Sequence, residues 1–146
     1  MLEKSEHYTT RAALEKLPSK GVLAPRPPTV LQVLPALVAG GVERGTVDVT
    51  GAIVQGGGRA IVASAGGPMT HEVTRLGGEH VELPVNSKNP LVMRANIGRL
   101  VELIINEKID VIHARSRAPA WSSWFAARRT NKHFVTTFHG AYEHGN

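Results

Sequence analysis

The 146-residue sequence predicts an α/β fold: a Rossmann-like parallel sheet with helices on both faces. Three observations predict it. Apolar strand patterns and amphipathic helix patterns alternate from Thr29 onward, the order that builds right-handed parallel crossovers. Glycine-rich turns sit at the junctions, and the composition, 42% hydrophobic and 20% charged, is that of an ordinary globular domain with a core.

The first unit is Thr29 to Val54. An apolar strand (Val30, Leu31, Val33, Leu34) runs through Pro35 to Gly41 into a helix opening at Val42, where Val42, Thr46, Val49 and Ile53 mark one face. Gly40 and Gly41 let backbone approach a ligand where the first free N–H groups of the helix point outward, an arrangement suited to a phosphate. A glycine-eased turn without a ligand is the plainer reading. The spacing is not Gly-x-Gly-x-x-Gly, which argues against a nicotinamide or flavin dehydrogenase.

Gln55-Gly56-Gly57-Gly58 stops that helix, and a strand follows at Ala60 to Ser64. Gly66-Gly67-Pro68 leads into a short helix, Met69 to Leu76, and then a strand at Val81 to Leu83. The third helix, Leu91 to Glu107, aligns Met93, Ile97, Leu100, Val101, Ile104 and Ile105. A strand at Val111 to Ala114 precedes the loop Arg115-Ser116-Arg117, and Pro119 starts a helix running to about Arg129. Its Trp121, Trp124, Phe125 and Arg128 share a side; packing of the aromatics on the sheet is the expectation, and contact with a membrane surface the alternative. The fifth strand, Phe134 to Phe138, runs into His139-Gly140. The sequence ends where such a fold would begin another helix, which reads as a truncation after the fifth strand. Residues 1–28, punctuated by Pro18, Gly21 and Pro25-Arg26-Pro27-Pro28, read as a flexible proline-rich arm, with a docked helix over Thr10 to Leu17 as the alternative.

Ligands of parallel sheets gather where strands end. The candidates there are Gly40, Gly41, Val42 and Glu43, then Arg115, Ser116 and Arg117, then His139 and Gly140. Arginine forks suit phosphate and carboxylate, and a histidine, as at position 139, is the residue type that can give or take a proton near neutrality. The alternatives are solvated loop arginines and a histidine bonded to nearby backbone; His113 reads as structural. His133, His139 and His144 lack the spacing of a metal pair. Absent cysteines exclude disulfides and thiolate chemistry and fit a reducing cytoplasm. The N-terminus lacks a secretory apolar core, and no apolar run is long enough to span a membrane. A net charge of +5 suits nucleotide, phosphate or anionic lipid, without the dense basic stripe of a nucleic-acid binder.

From Val30 through Gly40-Gly41-Val42-Glu43 the chain resembles the first strand, loop and helix of family 4 glycosyltransferases of the GT-B fold. Pro84 to Pro90, Asp110 to Trp121 and Phe134 to Gly140 are similar to one bacterial branch, and the resemblance covers Thr29 to about Tyr142. It implies transfer of a sugar from a nucleotide-sugar to a glycan or lipid-linked acceptor, with retention of anomeric configuration and no obligatory metal or other cofactor. By the same resemblance Gly40 and Gly41 approach the donor phosphates, His139 contacts the transferred sugar, and Arg115, Ser116 and Arg117 line the acceptor side. It further implies surface-glycan or lipopolysaccharide synthesis at the inner face of a bacterial membrane. Residues 29–146 would be an incomplete acceptor-side domain. The family's C-terminal donor-binding domain is not in the sequence, so a fragment inactive alone, a truncated product or half of a split enzyme, is expected. A non-catalytic Rossmann-like module for a phosphorylated ligand or protein partner is the reading from another class.

Overall fold

The structure is a computed structural model, and it describes residues 26–137. Five parallel strands form one sheet: β1 (Thr29–Val33), β2 (Arg59–Ser64), β3 (Glu79–Glu82), β4 (Val111–Ala114) and β5 (His133–Thr136), in the order β3-β2-β1-β4-β5. Four helices connect them: α1 (Gly41–Gln55), α2 (Thr70–Arg75), α3 (Pro90–Asn106) and α4 (Arg117–Thr130). The predicted doubly covered parallel sheet is present. Helix and strand alternate as expected, with boundaries shifted by at most two residues.

β1 and β2 are covered on both faces, which is why their apolar runs are nearly continuous. Successive side chains still divide between two cores. Leu31, Val33, Ile61 and Ala63 pack with Leu100, Ile104, Ala126 and Ala127 of α3 and α4. Leu34 and Val62 pack with Val47 of α1 and Val73 of α2.

Three buried faces differ from expectation. On α1 the buried residues are Thr46, Val47, Thr50 and Gly51, so of the expected Val42/Thr46/Val49/Ile53 stripe only Thr46 is buried. Its sheet-facing side meets the polar Gln32 of β1, so hydroxyls are drawn inward, and Leu76 fills the space over Gly51. On α3, Ile105 is exposed while Asn96 is buried, its amide donating to the Pro84 carbonyl at 2.9 Å. On α4 the expected packing of aromatics on the sheet does not occur. Pro119, Ser122, Ser123, Ala126 and Ala127 face inward, and Trp121 and Trp124 stay 64% and 39% exposed. Small residues let α4 lie close to α3, with the Ser122 hydroxyl donating to the Met93 carbonyl at 2.9 Å.

Helix ends follow local chemistry. Asn89 caps α3, its side chain accepting from the Leu91 N–H at 2.9 Å with Pro90 in the first turn. Asn131 ends α4 in the left-handed conformation at φ 53°. At the amino edge, Arg26 pairs with Asp110 at 2.8 Å and Asp110 also accepts from the Thr29 N–H, so residues 26–28 lie against the sheet. The rest of the expected arm, residues 1–25, lies outside the described residues.

At the carboxyl edge of β2 the Ser64 hydroxyl accepts from the Gly66 N–H and lies 2.8 Å from His80 Nε2. Burial holds the His80 pKa below its ordinary 6.5, against the opposing pull of Glu82. The folded chain therefore binds this proton less readily than the unfolded chain, and unfolding takes up a proton between the folded value and about 6.5. The contribution is fully present above pH 6.5 and is lost as pH falls toward the lower folded value. Melting temperature is expected to drop between pH 7.5 and 5.5, and His80→Gln to flatten that slope; an unchanged slope would refute the assignment.

Candidate active site

The site is built where β1 and β4 end side by side, with Val33 opposite Ala114 in register. The loops that follow carry the two clusters predicted from sequence. The β1–α1 loop is held by backbone bonds to the β2–α2 loop: Leu37 N–H to Gly66 O at 2.8 Å and Met69 N–H to Leu37 O at 2.9 Å. These bonds need Gly67, whose φ is +142° and where a Cβ would overlap the Leu37 carbonyl.

That bracing presents the start of α1. Gly40 and Gly41 are both exposed. The first intrahelical bond runs from Arg44 N–H to Gly40 O, so the N–H groups of Gly41, Val42 and Glu43 have no intrahelical partner. A Cβ on Gly41 would meet nothing within 4 Å; the chain's own packing does not require glycine there. Glu43 folds its carboxylate back over Gly40, without a capping hydrogen bond.

Arg115 reaches this helix from β4. Its N–H donates to the Val33 carbonyl, and its side chain, only 5% exposed, lies across β1. Nη1 donates to Gln32 Oε1 at 3.1 Å, and Nη2 would be 2.7 Å from a Cβ on Gly45. Gln32 Nε2 in turn donates to the Thr46 carbonyl at 3.2 Å and the Thr50 hydroxyl at 3.0 Å. Nε of Arg115 is buried without a hydrogen-bond partner, and among the described residues no carboxylate pairs with this guanidinium. Burial lowers its pKa from the usual value, yet arginine stays charged in any folded protein. The result is an uncompensated positive charge beside the N-terminal turns of α1.

Gly40, Gly41, Val42, Glu43 and Arg115 are thus brought to one edge. Ser116 follows as the residue before α4, without a side-chain cap bond, and Arg117 opens the helix, exposed. His139 and Gly140 lie outside the described residues. His113 bonds the Thr137 hydroxyl. Among the described residues no group of three His, Cys, Asp or Glu side chains could hold a metal. Gln32, Thr46, Thr50 and Gly45 are the members sequence reasoning missed. The available signal was a glutamine in the middle of an otherwise apolar central strand.

The profile of Glycosyltransferase Family 4 matches residues 39–146, most of the chain and all three loops. The chain belongs to glycosyltransferase family 4. A glycosyltransferase from Rickettsia africae is 46% identical, with a TM-score of 0.72 over 82% of this chain. This family 4 chain spans 31% of that protein's length. The C-terminal domain of a Pyrococcus furiosus hydrogenase (11% identity, TM-score 0.58, covering 81% of this chain and 96% of that one) shares the fold. So does a putative UDP-N-acetylglucosamine 2-epimerase from Listeria monocytogenes (8%, 0.57, 77% and 31%). No curated protein matches the family 4 chain.

Proposed function

We propose that the chain is the acceptor-side domain of a retaining glycosyltransferase that moves a sugar from a nucleotide-sugar to a glycan or lipid-linked acceptor. The observation that carries this is the pairing of open Gly41 backbone with the buried, unpaired charge of Arg115 in a chain of this family. As the bond between the anomeric carbon and the phosphate oxygen breaks, negative charge grows on the departing diphosphate. Free N–H groups at a helix start and a guanidinium fixed in low dielectric are the groups that stabilise such charge. Gly41 leaves room for a phosphate, and Gly40 does so once the Glu43 carboxylate swings off it. His139 contacts the transferred sugar, while Ser116, Arg117 and Gly140 border the acceptor. No step calls for a metal, because these fixed groups supply the positive field.

The chain provides one wall of a cleft, and residues 29–146 act with a C-terminal, donor-binding domain; alone they do not turn over. The setting is synthesis of surface polysaccharide or lipopolysaccharide at the inner face of the cell membrane.

Gly41→Ala tests the reading. Because the added methyl meets only open space, stability is expected to stay within about 0.5 kcal/mol or to rise slightly, alanine being the better helix former. Titration with UDP- and GDP-sugars, in the presence of a separately expressed family-type C-terminal domain, is expected to show donor affinity reduced at least about tenfold, roughly 1.4 kcal/mol. Unchanged affinity would remove the phosphate from this turn. Binding without any transfer would favour a non-catalytic module.

A further inference from the structure

The two helical layers carry opposite charge. The α1/α2 layer has Arg44 and Arg75 against Glu43, Asp48 and Glu72, and Arg44 is paired with Glu72 at 2.8 Å. The α3/α4 layer has five arginines, Arg94, Arg99, Arg117, Arg128 and Arg129, against Glu102 alone. Among the described residues no carboxylate pairs with Arg94, Arg128 or Arg129.

The same layer holds the exposed aromatics. A groove of about 490 Å³ runs between α3 and α4, with Met93, Ile97, Trp121 and Phe125 in its walls and Arg94 and Arg129 at its rim. Phe125 is clasped by both indoles, each at 4.8 Å between ring centroids, and the Arg128 guanidinium lies 5.0 Å over the Trp124 ring. Leu91, in the first turn of α3, is 78% exposed. Both helices start at the carboxyl edge of the sheet, so this surface adjoins the candidate site.

We infer that the outer face of α3 and α4 docks on an anionic phospholipid surface, with Trp121 and Leu91 at headgroup depth and Arg94, Arg128 and Arg129 on lipid phosphates. Charge complementarity selects the occupant. Unpaired arginines around indoles match an interface that is negative outside and apolar beneath, where tryptophan settles by its mixed character. An acceptor carried on a lipid would then reach the carboxyl-edge loops without leaving the membrane. The inference rests on the proposed function only for that consequence; docking is measured without turnover.

The chain has two tryptophans, Trp121 and Trp124, both on α4, so its indole emission reports this face. Titration with vesicles containing phosphatidylglycerol is expected to shift emission to the blue and to sediment the chain. Vesicles of phosphatidylcholine alone should do neither, and salt should reverse the effect. Arg128→Gln and Arg129→Gln should each weaken binding by about fivefold. Arg44→Gln, which removes the same charge from the opposite layer, should leave binding within about twofold. Equal losses for all three would reduce the effect to net charge and overturn the docking face. Absence of binding to the anionic vesicles, or sedimentation with unshifted emission, would overturn it too; the first result would point to a protein covering this face.

Discussion

Replacing Arg115 with methionine is expected to leave the fold intact and to cut transfer by about a hundredfold to a thousandfold, roughly 2.7 to 4 kcal/mol of transition-state stabilisation. The two effects separate because the arginine's charge is a burden on the folded chain. Its guanidinium is withdrawn from water with one hydrogen bond, to Gln32 Oε1, one buried nitrogen unpartnered and no carboxylate bound to it among the described residues. An unpaired buried ion costs several kcal/mol, and apolar replacement of a buried charge is often neutral or stabilising. Methionine has a similar reach and can lie over Gly45 as the arginine does. The opposing cost is Gln32 Oε1, left without its donor, at about 1 to 3 kcal/mol. Gln32 Nε2 keeps both of its acceptors. The net change in unfolding free energy is therefore expected to fall within about 1 kcal/mol of zero, with relief of the charge offsetting the lost bond. Urea unfolding of the chain and initial rates of the chain assembled with a C-terminal domain give the two numbers. A loss of about 3 to 5 kcal/mol in stability would make Arg115 a structural residue. Lysine should not rescue the rate, because a single ammonium cannot both hold Gln32 and meet a phosphate as a fork does.

The alternation of elements was legible because strand and helix periods differ, and because Gly56-Gly57, Gly66-Gly67-Pro68 and Pro119 punctuate them with local chemistry. Faces were less legible. On α4 the rule that large apolar residues go inward misled, since close helix packing selected Ser122, Ser123, Ala126 and Ala127 and turned Trp121 outward. On α1 the hydrophobic stripe was outweighed by one polar residue across the interface, Gln32, whose partners had to be hydroxyl and carbonyl. The glycine pair and the arginine loop could be placed at a strand edge separately. Their meeting through Gln32 and Gly45 depends on β1 and β4 being neighbours, a long-range pairing that no local pattern encodes. Gly45 itself gave no signal, because its reason is the approach of a side chain from seventy residues away.

Gly67 is where stability and site geometry are expected to fail together. Alanine there must take φ near +142°, a region L-residues rarely occupy, and its methyl would overlap the Leu37 carbonyl. The carbonyl cannot yield alone, because it accepts from Met69 N–H while Leu37 N–H donates to Gly66. Relief therefore requires parting the β1–α1 and β2–α2 loops. Strain of this kind costs of order 1 to 3 kcal/mol, and the severed bonds add to it, so a loss of about 3 kcal/mol is expected in urea unfolding. Gly98→Ala is the matched comparison. It lies exposed within α3 where a Cβ meets nothing within 4 Å, and a gain of about 0.5 to 1 kcal/mol is expected. Opposite signs for one substitution at two glycines would follow from backbone conformation and loop contact, not from glycine content. Because Leu37 leads into Gly40 and Gly41, parted loops also displace the turn assigned to the donor phosphates. Gly67→Ala chain that remains folded at low temperature is thus expected to bind nucleotide-sugar several-fold more weakly with the C-terminal domain present. Full affinity in that variant would mean that the turn holds its geometry from α1 alone, without the brace from the neighbouring loop.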